Sequence, residues 1–148
     1  MANNRETTFG RAAAGRYPRV VAGPITFMVE YRSVGQGGNE ASGPTIRVLD
    51  GEDDHEYLRF DLFDINPHYH YSPRGGVAAD TGRVVMLDTV AEGEPVAWAI
   101  DRLHDRLRPM LASVGGENLV DALDEDTLSA AVDEVQNLLH EAQATQPA

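Results

Sequence analysis

The 148-residue sequence has no cysteine and no lysine. Without cysteine there is no disulfide framework, no thiolate zinc site and no cysteine nucleophile. Every one of the twelve basic positions is arginine, and twenty-four Asp plus Glu outweigh them to a formal charge of −12. A surface of that sign repels phosphate backbones, so nucleic acid is not an expected partner. No run approaches the roughly 18 apolar residues of a membrane span, and anionic bilayer surfaces are disfavoured by the same charge. The N-terminal stretch lacks an apolar segment of about 7–15 residues, so it does not read as a secretory signal and a cytoplasmic location is expected. Aromatic residues are few, at 7%, yet 42% of the chain is hydrophobic, enough for one core in one domain.

Charge is unevenly placed. Residues 1–20 hold Arg5, Arg11, Arg16 and Arg19 against Glu6, whereas residues 112–148 hold eight acids and no arginine. The two ends are either solvated or docked on one another, and a docked arm would loosen with salt.

Alternation marks the middle of the chain as a sheet. Ile25, Phe27, Val29 and Tyr31 share one side of a strand, with Thr26 and Glu30 on the other and Met28 a mild interruption. A Gly-rich connection, 35–43, leads to a second strand over 45–49, and Asp50-Gly51 signals a hairpin turn. The third strand, 56–63, places Leu58, Phe60 and Leu62 opposite Tyr57, Arg59, Asp61 and Phe63. Asp64-Ile65-Asn66-Pro67 reads as a turn before a short aromatic strand, 68–72, and a fifth strand follows over 83–88. Short connections favour hairpins and hence a mostly antiparallel sheet. Helical spacing then takes over. Val96, Ile100, Leu103, Leu107 and Leu111 form a stripe behind Pro95 that predicts a helix covering the sheet, with Pro109 shortening or kinking its end. A short helical piece around 119–123 is followed by a last helix capped by Asp126, whose seam is Leu128, Val132, Val135 and Leu139. That seam covers the domain's own sheet or pairs with a second copy.

The densest chemistry is Pro67-His68-Tyr69-His70-Tyr71. In a strand His68 and His70 share a face, and two imidazoles at that spacing can hold one metal ion. If Phe63 faces His68, then Asp61 faces His70 and supplies a carboxylate; a slip of one residue would put Leu62 there instead. Such a set suits Zn, Mn or Fe, all divalent. The alternative is a polar–aromatic ladder without metal. Asp61, Asp64 and Arg74 are the candidate catalytic groups, the arginine to orient an anionic substrate. His55, among Asp53, Asp54 and Glu56, is best read as surface. Ser72 lacks a nucleophile-elbow pattern, and the glycines at 35, 37 and 38 lack the rest of a phosphate loop. Trp98 falls near 200° from the apolar stripe, beside Asp101, Arg102 and Asp105, and is a candidate interface residue.

The stretch FDLFDINPHYHY, from Phe60 to Tyr71, together with Leu87-Asp88-Thr89 and Trp98 to Arg102, resembles a family of small bacterial domains of unknown function that share an FDxF…PHYHY stretch. The likeness covers about residues 25–112. It implies one folded unit and carries over no functional residues.

The sequence therefore predicts an α+β domain: about five mostly antiparallel strands covered by one amphipathic helix, with further C-terminal helices. An Arg-rich arm, 1–24, precedes the domain at 25–114, and an acidic helical extension, 115–148, follows it. The leading functional expectation is an accessory or interaction subunit that self-associates or docks on a larger enzyme. The competing one is a metal-dependent enzyme acting on a small acid or carbonyl compound through His68, His70 and Asp61.

Overall fold

A computed structural model describes residues 17–35, 38, 40–75 and 82–144. Among them six strands form one antiparallel meander in chain order: β1 (Arg19–Ala22), β2 (Ile25–Val34), β3 (Ala41–Asp50), β4 (Glu56–Asp61), β5 (His68–Tyr71) and β6 (Arg83–Met86). Nearest-neighbour order follows from the short connections. The α+β class with an antiparallel sheet is as expected, with six strands rather than five. The additional strand is β1, paired with β2 across Gly23-Pro24, which the reading of 1–24 as an arm had absorbed. Arg5, Arg11 and Arg16 lie outside the described residues. Arg19 is within them, and it reaches Asp54 in the β3–β4 turn through two 3.2 Å hydrogen bonds.

The two sheet faces differ in kind. One carries Ile25, Phe27, Val29, Ile46, Val48, Leu58 and Phe60, and it builds the core with the helices. The other carries Glu30, Arg32, Thr45, Arg47, Arg59 and Asp61, and most of these are also buried. Met28, the interruption on that face, packs with Leu49 and Tyr17. Glycine is required at Gly43: a Cβ there would stand 2.3 Å from the Leu62 carbonyl oxygen.

Five helices follow: α1 (Thr89–Glu92), α2 (Pro95–Asp105), α3 (Leu107–Ser113), α4 (Glu117–Asp121) and α5 (Glu125–Ala144). Asp88 caps α1, and Glu94 caps α2 by accepting from the Val96 and Ala97 amides, with Pro95 in the first turn. The expected stripe from Val96 to Leu111 is buried throughout, but the helix breaks at Arg106, three residues before the proline. Restarting at Leu107 puts Pro109 in a first turn, where its missing amide hydrogen leaves no broken bond. The cap of α5 is Asp124, not Asp126: its carboxylate accepts from the Thr127 amide at 2.9 Å and hydroxyl at 3.0 Å.

The α5 seam lies inside this chain. Leu128, Val132, Val135 and Leu139 are at most 1% exposed, and the helix packs on β1, β2, β3 and α2. The stretch read as an extension is thus part of the core. Trp98 also differs from expectation. Its ring lies 5.3 Å from Tyr69 and 6.4 Å from Phe60, because the sheet extends under the flank of α2 as far as β5. Truncating Leu128 or Leu139 to Ala should lower unfolding stability by about 2–5 kcal/mol. Urea denaturation beside sedimentation checks this: stability falls with no change of native mass, whereas an intermolecular seam would show dissociation.

Candidate metal centre

β4 and β5 bring the predicted ligands together in a register two residues away from the expected one. His68 lies opposite Asp61, and His70 lies opposite Arg59. The cause is the path of the chain after Asp61. The Leu62 amide donates to the Pro44 carbonyl and the Asp64 amide to the Ser42 carbonyl, so 62–64 stay with β3 while β5 starts later, beyond Asn66 at φ 54°. A shift of two preserves side-chain parity, so Asp61, His68 and His70 still share a face.

Asp61 is wholly buried and is the centre of the cluster. Its Oδ1 accepts from the Thr45 hydroxyl at 3.0 Å and from Arg32 Nη2 at 3.2 Å. Its Oδ2 lies 3.1 Å from Arg59 Nε, 3.0 Å from His70 Nε2 and 3.2 Å from His68 Nε2. Burial alone would raise the carboxyl pKa, but hydrogen bonds from His68 and His70 and the charges of Arg59 and Arg32 outweigh it and hold the group well below the usual carboxylate range. His68 moves the other way: its bond to Asp61 raises its pKa against the opposing effect of burial, and Nδ1 donates to the Asn66 carbonyl at 2.8 Å. Both ring nitrogens of His68 face acceptors, which favours the protonated ring; a metal ion would take the Nε2 proton's place.

A lattice of opposite charges surrounds this centre. Arg47 reaches Glu30 and Glu56, Arg59 reaches Glu56, and Arg32 lies 3.8 Å from Glu30. Three guanidiniums thus meet three carboxylates with formal charges that cancel before the histidines are counted. Burial pushes Glu56 up, with Arg47 and Arg59 opposing that rise. His70 is in a more conflicted position. Arg59 Nη2 is 2.8 Å from the same Nε2 that faces Asp61, and one ring nitrogen cannot accept from the guanidinium and donate to the carboxylate at once.

The ligand atoms of Asp61, His68 and His70 all lie within 4.8 Å of one another, the one such group of His and acid residues among the described residues. Ligand atoms around tetrahedral zinc at about 2.0–2.1 Å stand roughly 3.3 Å apart, close to the two Asp61–His separations. The His68–Asn66 bond is the outer-shell contact that fixes a ligating imidazole. The histidine side chains remain 20% and 24% exposed, so the cluster opens at the β5 side.

The other predicted groups stand apart. Asp64 accepts from the Ser42 amide and anchors the start of β3. Arg74 binds Asp50, Asp53 and the Tyr57 hydroxyl at the β3–β4 turn, because β5 runs away from His68 toward the opposite sheet end. The lattice residues Glu30, Arg32, Thr45, Arg47, Glu56 and Arg59 were not anticipated. Their signal is the alternation of opposite charges along β2, β3 and β4, which looks like a solvated face until register pairs it across strands.

A family model described as a domain of unknown function (DUF7700) matches residues 19–139. It takes in β1 and most of α5, beyond the 25–112 anticipated from resemblance. No curated protein and no solved structure matches the chain.

Replacing Asp61 by Asn removes one of the three buried carboxylates that balance Arg32, Arg47 and Arg59 and should destabilise the fold by about 3–5 kcal/mol in chemical denaturation. The pH dependence has two limbs. The raised pKa of His68 stabilises the fold fully below its ordinary 6.5, and the contribution disappears as pH climbs through the raised value. The lowered pKa of Asp61 stabilises above its ordinary 3.8 and is lost on further acidification. His68→Gln should flatten the alkaline limb and leave most of the acid limb.

Proposed function

The chain belongs to the DUF7700 domain family, whose function is unknown, and we propose that its polar sheet face binds a divalent transition metal through Asp61, His68 and His70. The observation that carries this reading is the convergence of two imidazole nitrogens on one carboxylate oxygen at 3.0 and 3.2 Å. A cation there takes the place of the proton that His68 Nε2 directs at the carboxylate, and it lets His70 Nε2, which also faces Arg59, act as an acceptor only. Arg59 must draw its tip back for the ion to enter, and its charge keeps the site weaker than a closed structural one. Three protein ligands leave positions for substrate. The chemistry is metal-assisted turnover of a small acid or carbonyl compound. Arg74 stands apart from this site; Arg59, once drawn back from Asp61, is the guanidinium beside the ligands to meet a substrate carboxylate.

A second reading, docking on a protein partner or a second copy, is favoured by β6. Val84 and Met86, opposite His70 and His68, are 54% and 56% exposed on an edge strand. No helix of the described residues is long and apolar enough to cross a membrane. A cytoplasmic location remains part of the proposal.

Chelator-treated protein titrated with Zn(II), Mn(II) or Fe(II) should take up one equivalent and melt higher, by about 2.7 kcal/mol of stabilisation at a hundredfold excess over Kd. His70→Ala should abolish both effects. A metal-free protein whose melting ignores all three ions overturns the metal reading. A strictly monomeric chain holding one metal overturns self-association.

A further inference from the structure

On the opposite side of β5, where Tyr69 and Tyr71 point, the chain forms a second site. A cleft of about 400 Å³ lies between β5, β6, α2 and α3. Its floor is aromatic: Tyr69 and Tyr71 have ring centroids 5.5 Å apart, and Trp98 is 5.3 Å from Tyr69. Its rim is basic. Arg83 lies over the Tyr71 ring at 4.1 Å, Arg102 over Trp98 at 5.3 Å, and Arg106 closes the α2 end. Glu92 is the one carboxylate residue of the lining among the described residues. Three of twelve guanidiniums therefore meet at one cleft in a chain of charge −12.

Two residues of the lining carry unsatisfied donors. Trp98 Nε1 and Arg102 Nε are both buried and have no hydrogen-bond partner, although such atoms ordinarily find one. Two stranded N–H groups beside three positive charges call for an acceptor that carries negative charge. The ring floor calls for a flat apolar body. A further cation is disfavoured by repulsion from the three guanidiniums, and a bare phosphate would leave the aromatic floor uncovered. The volume falls in the range of small-molecule sites.

We propose that this cleft binds a small planar aromatic carboxylate, with its ring against Trp98 and Tyr69 and its carboxylate taken by Arg102, Arg83 and the Trp98 N–H. The site is separate from the proposed metal centre, because Tyr69 and Tyr71 alternate with His68 and His70 along one strand.

Trp98 is the sole tryptophan, so its fluorescence reports on the cleft directly. Benzoate should change that emission saturably, while its neutral analogue benzamide and the ringless anion acetate should not. Arg102→Gln should weaken benzoate at least about tenfold, the size expected for losing a charge-assisted hydrogen bond. If that variant fails to fold, Arg83→Gln at the exposed strand edge provides the same test with less disturbance, and saturation-transfer NMR on benzoate provides a readout independent of tryptophan. A linear, non-saturating response, equal responses to benzoate and benzamide, or wild-type affinity in a folded variant would each overturn the proposal. Binding that survives His70→Ala separates this site from the metal reading.

Discussion

One buried carboxylate ties the sheet together. Asp61 sits on β4 and receives bonds from Arg32 on β2, Thr45 on β3, Arg59 on its own strand and the two histidines of β5. Four consecutive strands thus meet at two oxygen atoms. A buried charge needs such partners, because desolvation alone would cost several kcal/mol. An apolar set of similar volume could stabilise the sheet as well. What the charged set adds is a fixed alignment: a slip of any of these strands strands a charge in the interior.

The apolar half of this arrangement was legible in the sequence and the charged half was not. The alternation of Phe27, Val29, Leu58 and Phe60 identified strands and their core face because burial of apolar groups is a property of each residue. Pairing Arg47 with Glu30 and Glu56 is a property of register, which depends on turns whose length periodicity does not report. The shift of two at β4–β5 illustrates the point. Composition located the turn, but the bonds holding 62–64 to β3 decided where β5 could begin. The grouping of Asp61, His68 and His70 survived because parity is more robust than register.

The helices were legible, but what lies beneath them was not, for a related reason. An amphipathic stripe gives a direction and no knowledge of how wide the surface beneath is. Six strands make a platform broad enough for α2 to bury a flank as well as a stripe, so Trp98 meets Tyr69 although it lies far from Val96 around the helix. The same breadth leaves β1 to β3 to be covered by another element, and α5 fills that place with the seam that a shorter sheet would have left free. The omission of β1 and the open choice for the α5 seam, own sheet or second copy, therefore share one cause, the width of the sheet.

The order of the chain gives that cover a temporal meaning. Strands one to three leave the ribosome before the helices, yet their apolar surface is closed by residues 125–144, after every other described element has been made. Hairpin contacts between sequence neighbours can form early at low entropic cost, so the nascent product is a half-roofed meander with Phe27, Ile46 and Val48 open to solvent. Until the last helix arrives, that exposed layer is the part of the molecule a chaperone would recognise, and a translational pause upstream of residue 125 would lengthen its vulnerability to aggregation.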